Sequence, residues 1–261
     1  MKINKENISE DNKELALNIL NNLRSGNRVI GSPAEGLKKT LKDLETKRDN
    51  KSFSKTDWLM KDGELEENIA KLKKGIKGEE ELSEYLSTIL KYDDELDGVI
   101  AFASLSSEQE NNNLDYIPDS DFLLVYGNNV LVIDAKAIST KPEQIIYLEE
   151  GIIVTESGKE LLEVHGSTHI WKKLLPNLTS IDGYVCIVNK TGASIDKNHE
   201  WYSCDYKLIH ISELRDVIKE WRNECTDTTC RLSTLVEIAK TQVKKEHSGL
   251  DLSQMKQVFR V

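Results

Sequence analysis

The stretch Asp121-Phe-Leu-Leu-Val-Tyr-Gly-Asn-Asn-Val-Leu-Val-Ile-Asp134-Ala-Lys136 decides how the chain folds. Its two apolar runs, Phe122 to Tyr126 and Val130 to Ala135, lack the polar alternation of a half-exposed strand, so both belong at the centre of a sheet. Charges inside such runs need a reason. A side-chain period of two puts Asp134 and Lys136 on one face. With Asn128-Asn129 as a two-residue turn, Asp121 falls opposite Lys136 and Leu123 opposite Asp134. Asp121 and Asp134 are then diagonal neighbours, roughly 7 to 8 Å apart at the backbone.

One bound cation bridges such a span. Mg²⁺ or Mn²⁺ takes hard oxygen ligands and keeps several waters, so two carboxylates and the Ala135 carbonyl suit it. Lys136 would orient a water or stabilise the transition state, and in-line attack on a phosphodiester is the natural use of the set. The same residues also read as a cross-strand ion pair of Asp121 with Lys136 at the sheet's end, with Asp134 solvated. Glu79 weighs toward the cation. It takes an apolar position between Ile76 and Leu82, so its carboxylate faces the sheet, where a charge is costly without a partner. Asp119, two residues before Asp121 and on the same face, is a rival ligand; position and spacing favour Asp121.

Working outward, Leu65, Ile69, Leu72, Ile76, Leu82, Leu86 and Leu90 recur at spacings of three and four, which predicts an amphipathic helix from about Glu64 to Leu90, weakened at Gly75 and Gly78. Before it, Leu15, Ile19, Leu20 and Leu23 share a helical face. Ser32-Pro33-Ala34-Glu35 reads as a capping box that opens a helix with Leu37, Leu41 and Leu44 inward, and Lys47 to Lys55 as a linker. A strand near Val99 to Ala103 and a polar loop through Asn111 to Asn113 precede the decisive stretch. After it come a hairpin of Gln144 to Leu148 with Gly151 to Thr155 turning at Glu149-Glu150, a helix His165 to Leu175, and strands Gly183 to Val188 and Lys207 to Ile211. Ser212 is then read as the cap of a helix carrying Leu214, Val217, Ile218 and Trp221, and a last helix spans Leu232 to Val243.

Gly75-Ile76-Lys77-Gly78-Glu79, followed by Leu82 and Leu86, then Asp121, the thirteen-residue step to Asp134 and the Asp-Ala-Lys triplet, resembles the NERD (nuclease-related) domain of the PD-(D/E)XK nuclease superfamily. The resemblance covers about Ala70 to Leu214. It implies a restriction-endonuclease-like α/β core, a mixed sheet flanked by helices, taken over residues 63–225; the helical patterns outside it read as an N-terminal extension (1–62) and a C-terminal helix and tail (226–261). It also implies that Glu79 is the helix acid, that Asp121 and Asp134 bind Mg²⁺ or Mn²⁺, and that Lys136 is the catalytic lysine. Two departures stand: Asp134 replaces the more usual Glu, and His165-Gly-Ser-Thr-His169 occupies the place of the family's Asn-Pro and Gln pattern.

The expectation is therefore a metal-dependent nuclease, DNA ahead of RNA as substrate and endonuclease ahead of exonuclease. The alternative is an inactive module of the same fold that binds nucleic acid or a protein partner. A homodimer or protein contact would use the N-terminal helices. A net charge of −10 disfavours a general nucleic-acid coat, since phosphate affinity comes from Lys and Arg, but it leaves metal chemistry open. Lys71, Lys73, Lys74 and Lys77 form a stripe able to track phosphates, against the commoner reading of a solvated face. Trp171, Trp201 and Trp221 are expected in the core rather than stacked on bases, and His169 as an ordinary histidine. Cys186, Cys204, Cys225 and Cys230 read as free thiols ahead of a zinc site. With a polar Met1 to Glu10 and no run of transmembrane length, the expected location is the cytoplasm, with no membrane partner.

Overall fold

A computed structural model describes residues 2–4, 8–50, 62–105, 120–138, 141, 144–164, 168–188, 193–196 and 206–242. Their elements, in chain order, are β1 (Lys2–Asn4), α1 (Lys13–Arg24), β2 (Val29–Ile30), α2 (Glu35–Asn50), α3 (Asp62–Tyr92), β3 (Ile100–Leu105), β4 (Ser120–Tyr126), β5 (Asn129–Lys136), β6 (Ile145–Glu149), β7 (Ile152–Thr155), β8 (Glu160–Glu163), α4 (Thr168–Leu174), β9 (Ser180–Ile187), β10 (Ser194–Ile195), β11 (Tyr206–His210), α5 (Leu214–Glu224), β12 (Thr229–Arg231) and α6 (Leu232–Lys240).

The main sheet is mixed and six-stranded, in the order β11-β9-β5-β4-β3-β2, and helices flank both its faces. Strands β4 and β5 lie at its centre, as their unbroken apolar runs predict. Alternate residues serve opposite faces: Leu123, Val125, Val130 and Val132 meet α1 and α6, whereas Phe122, Leu124, Leu131 and Ile133 meet α3 and α5. The fold is thus α/β, with two apolar layers on one sheet.

The β4–β5 register differs by two residues from the sequence expectation. Tyr126 pairs with Asn129 and Phe122 with Ile133, so the loop is Gly127-Asn128, not Asn128-Asn129. Gly127 has φ +60°, the conformation required at the first position of a II′ turn, and the left-handed region is what glycine supplies without strain. A shift of two preserves which face each side chain takes.

The hairpin β6–β7 turns at Glu150-Gly151, one residue later than expected, because both loop residues have positive φ (46° and 82°), as a I′ turn needs. It belongs to a separate sheet, β10-β6-β7-β8, whose Ile146 and Ile153 pack on the α1/α6 side of the main sheet. Neither expected capping serine caps. Before α5, the box is made by the His210 side chain and Glu213 and caps the single 3-10 turn Ile211–Glu213 that leads into the helix. At α2 the first amides bond to side chains from elsewhere in the fold, described below. Helix α2 also runs to Asn50, into the expected linker, and α6 ends at Lys240. The polar loop at Asn111 to Asn113 lies outside the described residues.

The N-terminal region is woven into the rest. Strand β2 adds to the edge of the main sheet beside β3, and β1 pairs in parallel with β12. The apolar faces of its helices are used within the chain: Ala16 and Ile19 of α1 join the core cluster that holds α6, and Leu37, Leu41 and Leu44 of α2 pack with Leu65, Ile69 and Leu72 of α3. Among the described residues, no helix is long and apolar enough to cross a membrane.

Helix α3, roughly 46 Å long at 1.5 Å per residue, keeps its two glycines for different reasons. A Cβ on Gly78 would lie 2.9 Å from Val188 Cγ2 and 3.1 Å from Ala137 Cβ, so glycine allows the helix to approach the ends of β5 and β9. On Gly75 it would meet only a Leu37 methyl at 3.1 Å. Gly78→Ala is therefore expected to cost about 1 to 3 kcal/mol by overpacking. In Gly75→Ala the flexible Leu37 yields, and a gain in helix propensity of up to about 1 kcal/mol offsets the contact. Urea unfolding of both variants checks this; equal effects would refute the assigned role of Gly78.

Candidate active site

Each acid of the candidate site is placed by a different constraint. Continuing the register one pair beyond Phe122–Ile133 sets Asp121 directly opposite Asp134, not diagonal to it. Directly opposed Cβ atoms lie about 5 Å apart. Asp121 Oδ2 accepts from the Ala135 amide at 2.6 Å, and Lys136 Nζ donates to Asp134 Oδ1 at 2.7 Å. The expected Asp121–Lys136 pair is thus an Asp134–Lys136 pair, formed by residues two apart on one strand. Asp134 is buried, and Asp121, Ala135 and Lys136 are half-buried.

Glu79 is buried, at 6% exposure, while the adjacent Glu80 is exposed. Its carboxylate is held by the start of α2: the Ala34 amide donates to Glu79 Oε2 at 2.9 Å. From there Glu79 acts on the strand acids through its field. Burial, then Glu79, then Asp134 push the Asp121 carboxyl well above its ordinary 3.8, against the opposing pull of Lys136. Burial works against charge on Lys136 too, but Asp134, Asp121 and Glu79 outweigh it and hold the ammonium protonated well above its usual range.

This donor set suits a hard divalent cation. Two carboxylates held this close repel each other, a repulsion that a divalent cation between them would relieve, and all the donors are oxygens. Among the described residues, no group of three or more His, Cys, Asp or Glu side chains is arranged to hold a metal ion. Two carboxylates and the Ala135 carbonyl still meet the needs of an ion that retains most of its waters.

Asp119, Trp201 and Cys204 lie outside the described residues. His169 belongs to α4. Trp171 and Trp221 are buried in the two core layers, and Trp171 Nε1 donates to Ser120 Oγ at 2.8 Å, beside Asp121. Cys186, Cys225 and Cys230 are free thiols. In the lysine stripe, Lys71 pairs with Glu67 and Lys73 with Glu45, the pattern of a solvated face. Ser104 was not singled out by sequence reasoning. The residue in register with Asp121 on β3, it accepts a hydrogen bond from the Glu35 amide at 3.2 Å. Its signal was a lone hydroxyl within the apolar run Ile100–Leu105.

No known protein family matches the sequence, and no curated protein does. Among solved structures, the crystal structure of protein VC1899 from Vibrio cholerae is similar at 13% identity and a TM-score of 0.33, over 83% of this chain and 58% of that one. The chain therefore spans less than two thirds of that protein, and a likeness this distant transfers no role.

The raised Asp121 carboxyl has a measurable consequence. Between its ordinary value and its higher folded value, the native state holds a proton that the unfolded chain has lost, so stability falls as pH rises through that window. Asp121→Asn keeps the shape and removes the titration. In the presence of a chelator, the variant is expected to be more stable than the parent at neutral pH, with the difference closing as pH falls toward the ordinary carboxylate range. Urea titrations at several pH values test it; a parent as stable as the variant at neutral pH would contradict this electrostatic account.

Proposed function

We propose that this chain is a divalent-metal-dependent nuclease that hydrolyses phosphodiester bonds, DNA ahead of RNA. The observation carrying this reading is the convergence of Asp121 and Asp134 at the ends of the two central strands, with the Ala135 amide on Asp121, Lys136 on Asp134 and Glu79 adding its field. A purely structural ion pair would need one acid and one base. Here an extra buried carboxylate is kept at a cost in stability, and perturbed groups of this kind cluster at functional sites. The resemblance of the Glu79, Asp121 and Asp134-Ala-Lys136 pattern to NERD domains points the same way, as does a mixed sheet flanked by helices, the architecture which that resemblance implies.

Mg²⁺ or Mn²⁺ would be held by Asp121, Asp134 and the Ala135 carbonyl, with Glu79 as the nearby helix acid; when bound, it supplies positive charge for the phosphodiester and lowers the pKa of water. The chain's own residues do the rest. Asp134 fixes the Lys136 ammonium at 2.7 Å, so that a fully charged donor of three hydrogen bonds stands at the sheet's end, ready for a phosphate oxygen. The Ala135 amide holds Asp121 in place. The free thiols suit the reducing cytoplasm proposed as its location.

Lys136→Met, which keeps the stem and removes the charge, and Asp134→Asn are each expected to lower the cleavage rate by at least about a hundredfold, the scale of losing one transition-state donor. Both should retain the parent's circular dichroism. Nicking of supercoiled plasmid with Mg²⁺ or Mn²⁺, and degradation of an RNA of similar length, provide the assay. Lys136→Met at full activity would sink the proposed reaction.

A further inference from the structure

Three non-glycine residues among those described have positive φ, and two of them meet at the candidate site. Glu150 occupies the tight β6–β7 turn, where that conformation belongs. Ala34, at 59°, lies in the Pro33-Ala34 turn that enters α2, and Ser104, at 53°, lies within β3. A left-handed backbone at such residues costs on the order of 1 to 3 kcal/mol and persists only where the surroundings enforce it. Here the surroundings are explicit. The Ala34 amide donates to Glu79, and the next amide, Glu35, donates to Ser104 Oγ.

The β3–β4 pairing runs from Ala103–Phe122 to Leu105–Ser120, so Ser104 is in register with Asp121, which in turn faces Asp134. One row across three strands therefore carries Ser104, Asp121 and Asp134. Ser104 interrupts a run of buried apolar side chains, and its hydroxyl meets the first turn of α2. The segment leading into that turn is secured from two further sides. Gln242 Nε2 donates to Ile30 O and Ala103 O, and a Cβ at Gly31 (φ 97°) would overlap the Gln242 amide. Lys38, in the first turn of α2, donates to Pro33 O and pairs with Glu80 at 2.8 Å, immediately beside Glu79.

We propose that Ser104 is a positioning residue for Glu79. By docking the first turn of α2, it fixes the Ala34 amide, and that amide sets the orientation of the Glu79 carboxylate relative to Asp121 and Asp134. The inference rests on the nuclease reading, since it gives Glu79 an orientation to keep. It goes further in making α2, which lies outside the resembling segment, part of the working site.

The test uses the full chain with Ser104→Ala, which removes the acceptor, and Ser104→Asn, which restores a side-chain acceptor on a residue that tolerates a left-handed backbone. Metal-free amide exchange followed by NMR should show lost protection at Ala34 and Glu35 in Ser104→Ala, and recovery in Ser104→Asn. Calorimetric Mn²⁺ titration should show weaker binding in Ser104→Ala, and kcat on DNA should fall with KM unchanged. The expected size of either loss is about 10- to 100-fold, the scale for groups that orient a ligand from behind. If Ser104→Ala does not fold, Ser104→Gly, which removes the hydroxyl and relieves the backbone, is read in its place.

Lower stability with unchanged Mn²⁺ affinity and kcat would overturn the proposal, leaving Ser104 a structural clasp. Equal losses in the Ala and Asn variants would also overturn it. A parent that binds Mn²⁺ without cleaving DNA or RNA would end the nuclease reading, and weakened Mn²⁺ binding in Ser104→Ala would then still support the positioning role. A parent that neither cleaves nor binds Mn²⁺ would end both.

Discussion

Two carboxyl groups facing each other across an antiparallel strand pair are an arrangement a sheet normally avoids, because like charges directly opposed repel. In this chain that confrontation organises its surroundings. Lys136 turns back onto Asp134 at 2.7 Å, the Ala135 amide donates to the Asp121 side chain, and Asp121 is driven toward its protonated form. Phe122 to Val125 of β4 and Val130 to Ile133 of β5 are apolar and fully buried, so the two strands have no freedom to slide and relieve the contact. Rigidity elsewhere in the sheet preserves an unfavourable contact at its end.

The same logic extends to α3. A helix carrying any side chain at position 78 would stand further from Ala137 and Val188, and Glu79 would move out with it. Glycine there exchanges helix propensity for proximity. The Ala34 amide at the entry to α2 donates to Glu79, so a backbone donor anchors the charge close to a helix start, where carboxylates are favoured.

Much of this was legible in the sequence because it followed from periodicity. Unbroken apolar runs gave β4 and β5, three-and-four spacing gave α3, and the intrusion of Glu79 into that stripe marked it as inward-facing. Side-chain parity put Asp121, Asp134 and Lys136 on one face, and survived a register error of two. That error arose at Gly127, where asparagine was credited with a turn that only the glycine's φ decides. The failures at Ser32 and Ser212 share another cause: local capping lost to long-range partners at α2 and to His210 at the turn before α5. Strand β8 is short, half-exposed Glu-Leu-Leu-Glu that pairs only at an edge, so its sequence carries little strand signal. Ser104 was invisible for a related reason, since its importance lies in a backbone angle and in a helix start some seventy positions earlier, as the separation in its hydrogen bond records.

The parallel pairing of β1 with β12 bears on how the chain reaches this state. Lys2 meets Thr229, so nearly the whole described length must be made before the first strand finds its partner. Every strand of the main sheet is available earlier. Closing so long a loop carries an entropic penalty that only a few hydrogen bonds repay, which makes this two-stranded clasp a late event in folding and an early one in local opening. A nascent chain would thus carry Lys2–Asn4 unpaired until Thr229–Arg231 has been made, with Ile3 meeting Cys230 only after the main sheet has consolidated.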